Sequence, residues 1–403
     1  MKSIPRYILP VIVVSQFCCT SLWFASNGVM VDLVGTFGLG EGAVGHLTSA
    51  VQFGFIAGTL IFAILTVADR FPPARVFFFS ALSGATTNLA MLWMGNTMAS
   101  LLFLRFVTGF FLAGIYPVGM KIAADYYGRG LGKSLGFLVG ALVLGTAFPH
   151  GLIGLGGWFP WREVVVFTSG LAAFGGGLMR WLVPDGPLRK ASLGVDFSAA
   201  FKVFRVPAFR AAAFGYFGHM WELYAFWAFI PFMLTAFAEA HAEIDLNVPS
   251  LAFLIIGVGG PACVIGGYLS QLWGPKRVAA AALLLSGLCC LASPFLFIAA
   301  PEAYVVFLLF WGMVVIADSP LFSTLVAQNA RSESKGTALT IVNCIGFSIT
   351  IFSIQLLTGL KEWIAPRWLF LPLTLGPLLG LAALLGRNGQ ERKGHTVSPA
   401  EGS

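Results

Sequence analysis

Four ionisable residues stand inside long apolar stretches of the chain and are the first candidates for chemistry: Arg105, His219, Glu222 and Asp318. A charged side chain in an apolar setting is costly unless it is paired, hydrated or neutralised, so such residues are functional candidates by default. We therefore assign these four residues to proton coupling or gating.

His219 and Glu222 are three residues apart, so they share a face if this stretch is a helix. Histidine changes charge near neutral pH, and a neighbouring carboxylate can hold or release a proton with it. The pair therefore predicts a site that loads and releases a proton. Two alternatives stay open: His219 hydrogen-bonds within its own helix bundle, or the pair contacts a solute without moving protons.

Arg105 and Glu222 are expected at similar depths, counted at about 1.5 Å per helical residue. We hypothesise that they face a central cavity from opposite halves of the molecule, where they pair or bind solute. The alternative is that Arg105 bonds to backbone carbonyls or polar groups within its own half. Asp318 precedes Pro320 by two residues. It belongs to an inner gate or proton route, or bonds locally near a helix end.

Polar and aromatic residues on the same stretches are candidates for a substrate cavity. They are Trp23, Asn27, Gln52, Tyr116, Trp221, Tyr224, Trp227 and Asn343. Tyrosine and tryptophan combine apolar surface with a hydrogen-bond donor, which suits an organic solute. Packing, or a belt at the membrane interface, is the alternative for each of them.

The elements that must position these residues are membrane helices. Of 403 residues, 58% are apolar and only 10% are charged, whereas a soluble domain is about 25% charged. This composition excludes ordinary soluble domains and disorder. The net charge is +7, but the basic residues fall in short groups between apolar runs. We therefore expect the lipid bilayer as a partner and no nucleic acid.

About 20 apolar residues are needed for a helix to cross a bilayer. We predict an all-α polytopic membrane protein with 12 transmembrane helices, near residues 8–30, 45–68, 74–95, 99–122, 132–155, 164–184, 209–237, 249–272, 277–299, 302–326, 337–359 and 364–386. Twenty of the 24 lysines and arginines then fall on the side of the termini. Since cytoplasmic loops carry the excess of Lys and Arg, both termini are predicted to be cytoplasmic.

The longest interior loop divides the chain. We predict an N-terminal six-helix bundle (1–184), a cytoplasmic interdomain linker (185–208), a C-terminal six-helix bundle (209–386) and a cytoplasmic tail (387–403). In the linker, Phe197, Phe201 and Phe204 recur at helical spacing. They indicate a short amphipathic helix on the membrane surface or, equally, a loosely structured linker.

The two halves repeat one another. Pro73, Arg75 and Val76 match Pro275, Arg277 and Val278 at an offset of 202, and Gly109, Pro117 and Ala124 match Gly312, Pro320 and Ala327 at an offset of 203. Parallel repeats of this kind suggest two similar bundles that rock about a site between them. Proline kinks a helix, so the matched prolines predict kinks at equivalent places.

Several motifs resemble those of major facilitator superfamily transporters, and the resemblance covers essentially the whole chain. Two loops at equivalent places resemble the cytoplasmic loop signature, with Asp69, Arg70 and Arg75 in the first half and Gln271, Lys276 and Arg277 in the second. The run from Arg105 to Gly109 resembles the RxxxG element of the fourth helix. Gly136, Gly145 and Pro149 resemble the glycine motif of antiporters.

The resemblance implies two pseudo-symmetric six-helix bundles and secondary active transport of a small solute by alternating access, coupled to a proton or another ion. It implies a monomer in a bacterial inner membrane. Arg105 and the basic interior favour a small organic or inorganic anion. Drug or metabolite efflux by antiport is an alternative, and a non-transporting receptor or a channel is another. Without a Walker loop, GxSxG or HExxH, we expect no enzyme and no cofactor.

Copper uptake is a further alternative. Met91, Met94 and Met98 recur at helical spacing, and together with Cys18, Cys19 and His219 they suggest copper uptake, because soft ligands select Cu(I). Methionine stripes are usually packing, however. No Cys/His spacing matches a metal site, so no metal ligand is assigned, and the six cysteines are expected to be buried hydrophobes.

Overall fold

The computed structural model describes residues 4–127, 131–155, 159–189, 202–241, 244–330 and 335–386. Within these ranges every regular element is helical. The tail 387–403 and most of the linker, including Phe197 and Phe201, lie outside the described residues. The helices form twelve membrane segments, which we number α1 to α12.

The N-terminal six segments are α1 (pieces Ile8–Thr20, Ala25–Gly28 and Met30–Phe37), α2 (Ala43–Ile64), α3 (Pro73–Leu89), α4 (Met98–Tyr126), α5 (Leu131–Gly154) and α6 (Trp161–Leu182). The C-terminal six are α7 (Pro207–Ala240), α8 (Val248–Trp273), α9 (Pro275–Leu296), α10 (Pro301–Asn329), α11 (Lys335–Leu360) and α12 (Pro366–Leu385). We call the side on which α2 ends and α3 begins the terminus side, since twelve crossings bring both chain ends there.

Ten of the segments are long and apolar enough to cross a membrane as continuous spans. The other two are α1 and α3. Segment α1 is interrupted after Thr20 by a turn, so its first piece has only 13 residues. Segment α3 has 17 residues and continues into a 3₁₀ turn, Ala90–Leu92. The predicted twelve-helix architecture is confirmed, with a break in the first helix that the sequence did not indicate.

The repeat is visible in the helix boundaries. Segments α4 and α10 have 29 residues each and begin and end at the offset of 203 found in the sequence. Each is interrupted before its proline, α4 between Leu112 and Tyr116 and α10 between Val314 and Ser319. The predicted kinks are therefore present at equivalent places in both halves.

Equivalent glycines make equivalent contacts in the two halves. A Cβ on Gly109 of α4 would lie 2.0 Å from the carbonyl oxygen of Val51 on α2. A Cβ on Gly312 of α10 would lie 1.9 Å from the carbonyl oxygen of Ile255 on α8. Both distances are far inside van der Waals contact, so only glycine lets these helix pairs approach so closely.

The two halves meet along α2 and α11 and along α5 and α8. On the side opposite the terminus side, Gln355 donates from Nε2 to Oγ of Ser49 at 2.8 Å, and Lys361 donates to the carbonyl of Glu41 at 2.7 Å. Ser250 donates to the carbonyl of Gly154 at 3.0 Å. These contacts join the halves at that end of the molecule.

Candidate functional site

Segment α7 carries Glu222 at a completely enclosed position in the C-terminal half. Trp311 of α10 donates from Nε1 to Oε1 of Glu222 at 2.6 Å, and Ser286 of α9 donates from Oγ to Oε2 at 2.9 Å. The hydroxyl of Ser286 has a second acceptor, the carbonyl of Leu283, at 3.2 Å. The carboxylate thus joins three helices of one bundle.

The contacts of Glu222 suit both of its protonation states. As a carboxylate it accepts one bond on each oxygen, from Trp311 and from Ser286. When Oε2 holds a proton, Ser286 can turn its own proton to the carbonyl of Leu283 and accept from the acid, because a hydroxyl both donates and accepts. A buried polar group without a partner is costly, so this exchange of roles removes a barrier to protonation.

His219 lies one turn before Glu222 on α7 and faces Asp318 on α10. Its Nδ1 is 2.8 Å from Oδ1 of Asp318, and both side chains are buried. The carboxylate of Asp318 has no hydrogen bond of good geometry among the described residues, and neither does Nε2 of His219. The polar atoms of the two side chains are therefore only partly satisfied by their neighbours within the described part of the chain.

Arg105 is fully buried in the N-terminal half, where its partners are not acidic. One Nη donates to the carbonyls of Leu22 and Trp23, at 3.0 and 2.5 Å, and the other lies 3.4 Å from Oδ1 of Asn88. Both carbonyls belong to the turn that interrupts α1. Arg105 thus holds the broken part of α1 against α4.

Arg105 and Glu222 do not pair in this structure. The hypothesised contact across the two halves is replaced by contacts within each half, the arrangement that we gave as the alternative for Arg105. The physical reason is that the turn in α1 supplies two backbone acceptors to the guanidinium, while Trp311 and Ser286 satisfy the carboxylate.

An aromatic cluster lies where the two halves meet. Trp23 of α1 has its ring centroid 5.9 Å from that of Tyr224 on α7 and 5.7 Å from that of Phe347 on α11. The cluster also contains Phe24, Phe55, Tyr116 and Trp227. All seven side chains are buried. Four predicted cavity residues are therefore brought together: Trp23, Tyr116, Tyr224 and Trp227.

Three polar side chains in or beside this region have unused hydrogen-bonding atoms. Nε1 of Trp23, Nε1 of Trp227 and both side-chain polar atoms of Gln52 on α2 have no partner within the described part of the chain. Such buried donors are costly unless a ligand or water meets them. These atoms are therefore available to a further hydrogen-bonding partner where the two halves meet.

The other predicted cavity residues are already engaged. Asn27 donates to Oγ1 of Thr48 at 2.8 Å, and Asn343 accepts from the hydroxyl of Tyr216 at 3.0 Å. Trp221 donates to the carbonyl of Pro372 at 3.2 Å, so it lies against α12 and outside the aromatic cluster. Its place there follows from Gly376, which lets α12 approach closely.

The loop signature on the terminus side is built into a small network in the first half. Nζ of Lys121 lies 2.7 Å from Oδ1 of Asp69, and Arg189 donates to the carbonyls of Asp69 and Phe71. Tyr126 donates to the carbonyl of Pro184. The first residues of the linker are thus tied to the loop, a contact that no motif in the sequence indicated.

The remaining signature residues lie at the surface. Arg70, Arg75, Gln271 and Arg277 are exposed, and Lys276 is half-buried. The second-half loop turns at Gly274, which has a φ of +83°, a left-handed value that glycine adopts without strain. The first-half loop places Thr66 at a φ of +50° instead.

The three methionines do not form a common stripe. Met91 is buried in a 3₁₀ turn, whereas Met94 is exposed and contacts Arg162 through its sulfur. The helix ends between them, which breaks the helical spacing. Among the described residues, no group of three or more His, Cys, Asp or Glu side chains could hold a metal ion. All six cysteines are buried and free, as expected.

The sequence matches the Major Facilitator Superfamily over residues 12–354. The chain belongs to the major facilitator superfamily. No curated protein sequence matches it. The fold is similar to that of the human organic anion transporter MFSD10 (TETRAN), with a TM-score of 0.73, 15% identity, and 95% of this chain and 100% of that one covered.

A second similar structure is a bacterial homolog of the human lysosomal transporter Spinster in an inward-facing and occupied conformation. It has a TM-score of 0.67 and 14% identity, with 94% of this chain and 96% of that one covered. Membership in this superfamily makes the chain an integral membrane transporter of a small solute and not an enzyme. Its two repeated bundles are the superfamily fold.

Proposed function

We propose that this transporter carries a small organic anion and couples its movement to protons. The observation that carries the proposal is the pair of buried acidic sites on α7 and α10, Glu222 and the His219–Asp318 pair. Both lie in one half, close to the aromatic cluster between the halves. Protons held there change the charge of the C-terminal bundle, and that change biases which side opens.

The aromatic cluster supports an organic solute. Seven rings offer apolar surface, and the free indole N–H groups of Trp23 and Trp227 offer donors to a carboxylate or another acceptor group. Arg105 adds a positive charge to the N-terminal half, where one Nη donates directly to the carbonyl of Trp23. The similar fold of an organic anion transporter agrees with this choice of solute class.

The proposal includes the orientation. With the terminus side in the cytoplasm, the contacts of Ser49, Glu41 and Gly154 close the external side. Access from the cytoplasm then requires the halves to separate on the terminus side, because the aromatic cluster, Glu222 and the His219–Asp318 pair are buried. We propose residence in a bacterial inner membrane and function as a monomer.

The test is proton movement that depends on solute. The purified chain is reconstituted into liposomes with a pH-sensitive dye inside, and a panel of aromatic and aliphatic carboxylates, inorganic anions and cationic drugs is added. We expect organic anions to change the internal pH and to accelerate their own counterflow. Counterflow without proton movement would overturn the coupling, and proton movement driven only by cationic drugs would favour efflux antiport.

A further inference from the structure

A cleft of about 490 Å³ opens on the terminus side of the N-terminal half, away from the aromatic cluster. It lies between the start of α1, the start of α3 and the end of α6. Its lining includes Tyr7, Arg75, Arg180, Trp181 and Asp185. Nothing in the proposed transport cycle uses this cleft.

The cleft has an excess of positive charge. Asp185 is neutralised by Arg189, whose Nη1 lies 2.5 Å from Oδ2 of Asp185. Neither Arg75 nor Arg180 has a carboxylate at ion-pair distance within the described ranges. Two guanidinium groups therefore line one cleft without an acidic partner there. Guanidinium groups match the geometry of phosphate oxygens, with which they form paired hydrogen bonds.

An apolar surface continues from the cleft along the outside of the bundle. Trp181 is 75% exposed and Phe79 is 63% exposed. Phe78 lies between them, with its ring centroid 5.9 Å from that of Trp181 and 5.3 Å from that of Phe79. On a membrane segment such exposed rings lie against lipid. Tryptophan at the end of a segment is typical of the headgroup level.

We propose that this cleft binds the phosphate of an anionic phospholipid, whose acyl chains lie along Phe78, Phe79 and Trp181. The cleft and the surface beside it match the two parts of such a lipid. The arginines form a site for the negative headgroup, and the aromatic rings form an apolar surface for the acyl chains. Basic pockets at the cytoplasmic ends of membrane helices bind anionic headgroups for the same reason. A free phosphate ion would use the arginines but not the rings.

The bound lipid joins three segments of the N-terminal half. Beyond Asp185 the chain is bonded to the end of α4, where Leu188 donates its amide to the carbonyl of Asp125 at 3.0 Å. The lipid therefore stabilises the same region that begins the linker between the halves. We expect anionic lipid to raise the thermal stability of the protein.

The experiment counts bound lipids by native mass spectrometry on the full chain in detergent. Phosphatidylglycerol and phosphatidylcholine with identical acyl chains are compared in the parent protein, in Arg75→Gln/Arg180→Gln and in Arg277→Gln. Arg277 is the matched control, because it is the repeat mate of Arg75 and lies in the other half. Each basic group near an anionic surface contributes about a fivefold preference, so we expect the double variant to lose about 25-fold of the preference for phosphatidylglycerol.

The melting temperature gives a second measurement, in case the double variant folds poorly. Phosphatidylglycerol should raise it in the parent and in Arg277→Gln but less in Arg180→Gln alone. Equal binding of both lipids by the parent, or an unchanged preference in the double variant, would overturn the proposal. A stabilisation by inorganic phosphate equal to that by phosphatidylglycerol would overturn the lipid as the occupant.

Discussion

The two halves share one backbone fold but differ in the ionisable residues that are buried inside them. In the N-terminal half Arg105 is fully buried and is held by backbone carbonyls and by Asn88, and Asp125 and His150 are buried as well. In the C-terminal half the buried ionisable groups are His219, Glu222 and Asp318, which lie on two neighbouring segments, α7 and α10.

The repeat shows how local this difference is. At the offset of 203, Arg105 corresponds to Leu308 and Asp318 corresponds to Ile115, and both aliphatic side chains are fully buried. These two charged residues thus have apolar counterparts at the matching places of the other half. Arg105 holds the broken part of α1 in the N-terminal half, and our proposal assigns the response to protons to the C-terminal half.

We expect the largest effect from Glu222→Gln in the C-terminal half. In Glu222→Gln the side chain keeps its size but cannot release a proton. A difference of about 2 pH units can drive about 100-fold accumulation when one proton moves per solute, since each pH unit is a factor of ten. We expect this accumulation to vanish in proteoliposomes while counterflow exchange continues. Accumulation at the parent level would remove Glu222 from the coupling.

Arg105→Ala tests the buried arginine of the N-terminal half. Hydrogen bonds to a charged group contribute about 1.5–3 kcal/mol each, so the loss of the bonds to Leu22 and Trp23 should destabilise the protein by several kcal/mol. We expect a lower melting temperature, loss of transport, and the parent's pH dependence in any residual transport. Arg367→Ala, at an exposed arginine, is the control. Normal transport by Arg105→Ala would show that Arg105 is not required for transport.

Ser286→Ala separates proton loading from simple burial of the acid. Without the hydroxyl, Oε2 of Glu222 loses the partner that serves both protonation states. A lost buried hydrogen bond is worth about 1–3 kcal/mol, so we expect about a tenfold loss of proton-driven uptake. Ser286→Thr keeps the hydroxyl and should retain most of the activity. Equal losses in both variants would point to packing as the cause.

The His219–Asp318 pair is measured by a double-mutant cycle on thermal stability. His219→Gln, Asp318→Asn and the double variant are compared with the parent. Residues in direct contact show coupling energies of about 0.5–3 kcal/mol. We expect a value in that range, because removal of one member leaves the other buried without its partner. Additive effects would mean that the 2.8 Å contact contributes no net stability.

Trp227→Phe has the smallest expected effect. It keeps an aromatic ring in the cluster and removes only the free N–H. If a solute accepts a hydrogen bond there, its KM should rise about fivefold, the equivalent of about 1 kcal/mol, with little change in stability. The control is Phe24→Leu, which removes a ring of the cluster that has no hydrogen-bond donor.

Much of the fold was predictable because its causes are local. Apolar runs of about 20 residues specify membrane helices. The matched prolines, Pro117 and Pro320, predicted the kinks that α4 and α10 contain. The interruption of α1 after Thr20 was not predictable, since the residues from Ser21 to Phe24 are as apolar as their neighbours and contain no proline or glycine.

The sequence predicted which ionisable residues form the candidate site but not which partners they contact. His219, Glu222 and Asp318 were found because ionisable residues are rare in apolar runs. Trp311 and Ser286, the partners of Glu222, were missed: serine and tryptophan are common in membrane helices and give no such signal. Their functional roles stay predictions, which the variants above examine.

Composition and spacing are enough to predict a twelve-helix membrane protein with two repeated halves and a short set of buried ionisable residues. Those properties depend on composition and on spacing along the chain. Only the tertiary structure decided which groups meet. The rotation of each helix and the turn in α1 place Arg105 on the carbonyls of residues 22 and 23 and His219 beside Asp318, and contacts across 80 or more residues leave no mark in local sequence.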